Sequence, residues 1–299
     1  MYPARFNYLR TDSFADASVA LLSGGAGAKA LAGGQTLIPM LKLRLLKPEL
    51  IIDLGGITNA DDIAVGEGVI EIGALARHAQ IGTFDGLKAF PIIGDCALGI
   101  ADAQVRNMGT IGGSLAEADP CSCWPALLVA LEAEVLIQGP QGERVLSVRD
   151  LLADAYTPDL APGELITRIA ISRAALSGTG AFVAFKRAAP AYPTGSCALQ
   201  VAFDGDRIAS ARIGFGCLGL TPLAFDQANE IAAGKLLVDD LVEDVAQAAS
   251  EFVEPIEDIK GSEAYKRSLA RGLVIHAFKV VKARRERAVA PGTHSYYGR

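Results

Sequence analysis

Lys29-Ala30-Leu31-Ala32-Gly33-Gly34-Gln35-Thr36-Leu37-Ile38-Pro39-Met40 is the stretch on which the reading of this chain turns. Lys29 to Leu31 reads as a short strand. Paired glycines follow at once, and a helix is expected from Leu37 to Leu45, with Pro39 tolerated in its first turn. Glycine opens backbone conformations closed to other residues and lets a ligand approach the N–H groups. N–H groups fanned outward form a nest for an anion such as a pyrophosphate. Gln35 and Thr36 add side-chain donors, and the positive end of the helix points at the loop. A second stretch has the same character, Thr110-Ile111-Gly112-Gly113-Ser114-Leu115-Ala116-Glu117-Ala118-Asp119-Pro120. Two such loops predict a large cofactor with two phosphates, gripped from two sides.

Outward from the first loop, Ser13 with Asp16 marks a helix start, and Gly24-Gly25 a helix stop. Leu50-Ile51-Ile52-Asp53-Leu54 reads as a buried strand, so the region is a small parallel unit with its loop at a strand end, where ligands sit in α/β folds. Val69 to Gly73 alternates as a strand, Ile92 to Ile100 reads as a buried helix and Trp124 to Leu131 as another. Glu134 to Ile137 is a strand closed by Gly139-Pro140-Gln141-Gly142, and Leu165 to Ile171 completes the region. Ser172 to Gly180 is small and polar, which places a domain boundary there. Strands are expected over Phe182–Lys186 and Cys197–Phe203, with Asp204-Gly205 turning into Arg207–Phe215. Helices follow near Pro222–Ala233, Asp239–Phe252 and Ala264–Arg285. The cations Lys279, Lys282, Arg284, Arg285 and Arg287 read as a solvated helix end that complements the helix dipole.

The chain has 299 residues, 51% hydrophobic and 21% charged, an ordinary globular balance with room for roughly two domains. A net charge of −6 argues against nucleic-acid binding, which needs a basic face. No apolar run reaches the roughly 18 residues of a membrane span. Met1-Tyr2-Pro3-Ala4-Arg5-Phe6 lacks the apolar core of a signal peptide, so a cytoplasmic location is expected. Five cysteines, Cys96, Cys121, Cys123, Cys197 and Cys217, show no framework spacing and no C-x-x-C pair. They predict neither a disulfide scaffold nor an iron–sulfur site. His78, His276 and His294 lie far apart and read as surface or helix residues without a metal motif. Gly214-Phe215-Gly216-Cys217-Leu218-Gly219 matches G-x-G-x-x-G. The strand before it belongs to an Asp-Gly hairpin, so it reads as a plain strand end.

The paired loops resemble the flavin-binding loops of the FAD-binding medium subunits of molybdenum hydroxylases, the carbon monoxide dehydrogenase and xanthine dehydrogenase type. The likeness runs from Phe6-Asn7-Tyr8-Leu9-Arg10 through Leu37–Arg44, Ala103–Gly109, Glu164–Thr167 and Phe185-Lys186-Arg187 to Ala264–Arg271. It implies an α+β chain. An FAD-binding domain of two α/β subdomains (PCMH-type) would span residues 1–175, with subdomains over about 1–57 and 58–175. A C-terminal α+β domain with a small antiparallel sheet and helices would span 178–287.

The resemblance implies FAD contacts from Ala32, Gly33, Gly34, Gln35, Thr36 and Leu37 on the first loop. Thr110, Gly113 and Ser114 of the second would lie against the ribityl chain and pyrophosphate. Ser114 stands where the family more usually has Asn or Asp. Ser122 matches a family serine, while Cys123 replaces an Asp that holds ribityl hydroxyls, and a thiol is a poor acceptor. Lys186 falls where the family places a lysine near the flavin, and Tyr192 where some relatives cover the isoalloxazine. Arg106 and Asn107 read as local capping residues. The resemblance also implies a large subunit with the molybdenum cofactor and a small subunit with [2Fe-2S] clusters, assembled as a dimer of heterotrimers. Electrons would pass through this chain's FAD to an external acceptor. Two rivals stand beside that expectation: a free-standing flavin dehydrogenase or diaphorase, and a scaffold subunit that has lost FAD, motivated by Cys123 and Ser114.

Overall fold

The computed structural model describes residues 2–296. The chain opens with β1 (Asn7–Arg10), α1 (Phe14–Gly24), β2 (Ala28–Leu31), α2 (Leu37–Lys42) and β3 (Leu50–Asp53). The three strands form a parallel sheet in the order β1-β3-β2. Helix α1 starts where its cap dictates: the Ser13 hydroxyl accepts from the Asp16 N–H at 3.1 Å, satisfying one of the orphan donors of the first turn. The expected parallel unit is therefore present, with β1 added to it. All four β1 residues are exposed, so no alternation announced that strand.

The middle of the chain supplies β4 (Ile63–Val65), β5 (Val69–Gly73), α3 (His78–Thr83), α4 (Pro91–Gly99), α5 (Ala103–Arg106), α6 (Ile111–Glu117) and α7 (Cys123–Ala130). It continues with β6 (Glu134–Gly139), β7 (Gly142–Ser147), α8 (Val148–Leu151) and β8 (Leu165–Ser172). The five strands make an antiparallel sheet in the order β4-β5-β8-β6-β7. The second glycine stretch is not an open loop. Thr110 caps α6, its hydroxyl accepting from the Gly113 N–H at 3.2 Å, so the glycines lie inside the first helical turn.

The remainder forms β9 (Thr179–Lys186), β10 (Pro193–Asp204), β11 (Arg207–Gly216), β12 (Leu223–Ala224), α9 (Gln227–Ala232), α10 (Asp239–Phe252), α11 (Glu263–Arg285) and β13 (His294–Tyr296). Their sheet runs β12-β11-β10-β9-β13. Four strands are antiparallel, and β13 joins β9 in parallel. The G-x-G-x-x-G match closes β11, inside an antiparallel pair, as expected. The helix expected near Pro222 begins only at Gln227, because Leu223 and Ala224 pair with β11 instead.

The third sheet is covered on both faces. Helices α9, α10 and α11 pack on one face, around Phe215, Phe225, Val245, Val274 and Phe278. Helices α4 and α7 lie on the other, where Phe182, Ala184 and Ala198 join the core that also holds Trp124 and Ile169. All eight residues of α7 are buried, which explains why it reads as uniformly apolar rather than amphipathic. Arg284 corrects the reading of a solvated cationic helix end. It makes a two-point ion pair with Asp95 of α4, at 2.7 Å for each bond. Asp95 also accepts from the Phe182 N–H at 3.2 Å.

Candidate cofactor site

A cavity of about 580 Å³ opens where the three sheets meet, within the size range of small-molecule sites. Its walls come from the β2–α2 turn, from α3, α5, α6 and the start of α7, and from the segment joining β9 to β10. Each of Ala32, Gly33, Gly34, Gln35, Thr36, Leu37, Thr110, Gly113, Ser114, Ser122, Cys123, Lys186 and Tyr192 lines it. Residues far apart in the chain thus face one space.

The first glycine turn has the geometry of a nest. Gly34 sits at φ +71°, a left-handed conformation that favours glycine. Among the described residues, the N–H groups of Gly33, Gly34, Gln35 and Thr36 have no hydrogen-bond partner. Unpaired N–H groups in a cavity wall are the donor set that a phosphate needs. The Gln35 side chain is not free for that task in this conformation: its Nε2 donates to the Gly33 carbonyl at 3.2 Å. Gly33 also packs directly on the second glycine segment. A β-carbon there would meet the Met108 carbonyl oxygen at 2.3 Å and the Gly109 α-carbon at 2.7 Å. The two stretches form one contiguous wall.

On the second segment, the Thr110 oxygen is engaged as the α6 cap, which leaves its hydroxyl proton for a ligand. The Ser114 and Ser122 hydroxyls are hydrogen-bonded to each other, joining α6 to the turn before α7. Cys123 opens α7, is 5% exposed, and burial pushes its thiol up to about 11. It is a neutral thiol, both packed in the core beside Trp124 and facing the cavity. Arg106 and Asn107 bond locally as expected, to Ile100, Ala101 and Ala103 carbonyls.

Lys186 is not an exposed strand lysine. It is 1% exposed and donates to the Gly99 carbonyl. Burial lowers its pKa, with Cys123 and Cys96 acting in the opposite direction. Among the described residues it has no carboxylate partner. A buried cation without a counter-ion is costly in an apolar setting and favours an anion in the adjoining cavity. Tyr192 is about half exposed, with the Lys260 ammonium 5.9 Å from its ring centroid.

His78 is a helix residue, as expected, but not a surface one. It opens α3, yet it is 6% exposed and lines the cavity. Trp124 Nε1–H donates to His78 Nδ1 at 3.0 Å. That bond places the proton of the neutral ring on Nε2. Burial, then the charge of Arg106, holds its pKa down at about 4. His294, in β13, is likewise held at about 4, by burial and then by Lys186. Only the adjacency of Gly109 to the second glycine stretch hinted at His78, since that glycine leaves room for the ring: a β-carbon there would lie 2.7 Å from His78 Nε2.

Similarity to known proteins agrees with this geometry. Residues 4–173 match the family described as FAD binding domain in molybdopterin dehydrogenase, and residues 180–281 match the CO dehydrogenase flavoprotein C-terminal domain. The chain belongs to the family of FAD-binding medium subunits of the molybdenum hydroxylases, and is an oxidoreductase subunit. It is 35% identical to the glyceraldehyde dehydrogenase medium chain of Sulfolobus acidocaldarius, over 94% of this chain and 100% of that one. It is also 35% identical to the carbon monoxide dehydrogenase medium chain of Afipia carboxidovorans, over 95% and 99%. The solved Cu,Mo-CO dehydrogenase superposes with a TM-score of 0.90 at 34% identity, covering 95% of this chain and 100% of that one. Quinoline 2-oxidoreductase from Pseudomonas putida 86 gives 0.89 at 29% identity, covering 97% and 100%.

Proposed function

We propose that this chain holds FAD in the cavity and passes electrons between partner subunits and an external acceptor. The observation that carries the reading is the set of four unpaired N–H groups on Gly33 to Thr36, in one cavity with a buried Lys186 that has no carboxylate partner among the described residues. The first group suits the pyrophosphate. The second suits the electron-rich end of a reduced flavin, whose negative charge a nearby cation stabilises. Bound FAD supplies the redox chemistry, and the protein binds it, orients it and tunes it. His78 Nε2–H adds a donor whose direction is held by Trp124, and the Tyr192 segment lines the same cavity.

The partners in this reading are a large subunit with the molybdenum cofactor and a small subunit with [2Fe-2S] clusters, in a dimer of heterotrimers in the cytoplasm. The division near residues 172–180 separates the FAD-binding part from the C-terminal part. Relatives are named for glyceraldehyde, carbon monoxide and 6-hydroxypseudooxynicotine. The substrate therefore varies while the medium chain is retained, consistent with a substrate site on another subunit.

The test is purification of the chain with and without its neighbours. The reading requires about one non-covalent FAD per chain, from the single nest, released by acid. It also requires flavin reduction by the holoenzyme's substrate only when the partners are present. A folded chain that ignores added FAD would support the scaffold reading. Reduction of the isolated chain's flavin by NADH, at the rate of the assembled complex, would support the free-standing diaphorase.

A further inference from the structure

Beside the cavity lies a second cluster that the electron-transfer reading does not use. Cys121 sits in the turn between α6 and α7, is only partly buried, and its N–H donates to the Asp119 carboxylate at 2.8 Å. Cys217 follows β11, is 8% exposed, and occupies φ +65°, an uncommon conformation for a side-chain-bearing residue. The Cys217 N–H donates to the Pro120 carbonyl at 3.0 Å. With standard bond lengths, that bond holds the two cysteine α-carbons within about 7 Å of each other. Disulfides span roughly 4.4–6.8 Å. The Cys217 side chain is the neighbour that acts most strongly on the Cys121 thiol. Lys260 Nζ lies 3.5 Å from that sulfur and also donates to the Pro193 carbonyl at 3.0 Å.

We propose that Cys121 and Cys217 form a reversible thiol–disulfide pair on the cavity rim, oxidised by a hydroperoxide and coupled through Lys260 to the Tyr192 segment. The assignment of roles follows from the surroundings. Hydrogen bonding from Cys217, then the Lys260 charge, against burial, brings the Cys121 thiol down to about 7, whereas Cys217 is pushed up. Cys121 is therefore the attacking thiolate, and Cys217 the resolving thiol. In the first step the Cys121 thiolate takes the distal oxygen of hydrogen peroxide, giving a sulfenic acid and hydroxide. In the second, the Cys217 sulfur displaces that oxygen. The S–S bond forms, the S–O bond breaks, and the Cys217 proton leaves with the oxygen as water. Each sulfur loses one electron and the two peroxide oxygens gain them.

The disulfide carries no charge, so oxidation removes one of the two groups that Lys260 joins. The other, Pro193, lines the cavity next to Tyr192. That coupling rests on the FAD reading, whereas the thiol chemistry does not.

The experiment uses the full-length, FAD-loaded chain and hydrogen peroxide in stoichiometric amount. Of the five free cysteines, two should be lost to alkylation, and peptide mapping should find Cys121 joined to Cys217. Dithiothreitol should restore both. In Cys217→Ser, oxidation should stop at a sulfenic acid on Cys121, trapped by dimedone. Lys260→Met should slow alkylation of Cys121 at neutral pH by about threefold or more, as its thiolate fraction falls. A bond from Cys121 to Cys123, no intramolecular bond, or a Cys121 no more reactive than buried Cys197 would overturn the pair. FAD release from the oxidised chain should be faster by about threefold or more, the change expected when one charged contact of the rim is lost. Unchanged release with the disulfide formed would overturn the coupling and leave the FAD reading intact.

Discussion

The α-carbon of Gly33 faces the carbonyl oxygen of Met108 so closely that an added β-carbon would stand 2.3 Å from it. The glycine is thus required by the neighbouring backbone as well as by any phosphate. Gly33→Ala is expected to force the two glycine segments apart. Overpacking of this kind costs about 1–3 kcal/mol. The melting temperature of the FAD-free chain should fall, and FAD affinity should drop by about tenfold or more. Loss of FAD with an unchanged FAD-free melting temperature would show that the Met108 contact is not what demands glycine.

Lys186→Met is expected to separate binding from redox tuning. Removing a buried ammonium that has no carboxylate partner relieves a desolvation cost, while the Gly99 carbonyl loses its donor, so the FAD-free chain should melt close to the wild type. The flavin reduction potential should become more negative by about 30 mV or more, since 30 mV corresponds to about 1.4 kcal/mol for a two-electron couple. An unchanged potential, measured by dye equilibration, would remove Lys186 from the flavin's surroundings.

Cys123→Asp places a carboxylate beside Lys186, whose charge already acts on the Cys123 thiol. The new pair supplies the missing counter-ion, and the carboxylate offers the ribityl hydroxyls a charged acceptor. Hydrogen bonds to charged groups contribute roughly 1.5–3 kcal/mol, against about 0.5–1.5 for neutral ones. FAD should therefore bind up to about tenfold more tightly. Flavin titration together with thermal melting is decisive: weaker FAD and a lower melting temperature would mean that Cys123 is purely a packing residue.

Acid should destabilise the fold through two histidines. His78 and His294 are held at about 4 in the folded chain, against about 6.5 when unfolded. The unfolded state then binds more protons between those values, so stability is full above about pH 6.5 and falls as pH drops toward 4. Each ring contributes about 2–3 kcal/mol over that window. His78→Phe should flatten the fall in melting temperature between pH 6.5 and pH 4.5. An identical slope in the variant would show that the ring is protonated in the folded chain.

Local features carried the reading a long way. The Ser13 cap, the alternation of Val69 to Gly73 and the helical spacing of Leu241, Val245, Ala246 and Ala249 within Asp239–Phe252 each announce their element through neighbours only a few residues off. The glycine stretches announced the cavity, and the flanking motifs supplied the rest of its wall. Three things were not legible. Asn7–Arg10 has no buried face, so its strand exists only because β3 offers it an edge. His78 has no motif, since its role depends on a tryptophan remote in the chain. Arg284 looks like any helix-end cation until α11 docks on Asp95.

By itself, the sequence determined the helix caps, the strand periodicities and the glycines whose backbone can leave N–H groups unpaired. These are short-range consequences of side-chain shape, and they hold wherever the segment is placed. The tertiary structure alone decided which donors and charges share a cavity. It set Lys186 beneath Cys123 without a carboxylate, turned Gln35 back on its own loop and brought Cys121 to Cys217 and Lys260. Burial and through-space charge depend on which surfaces meet when the two five-stranded sheets close around α4 and α7, and no local pattern records that meeting.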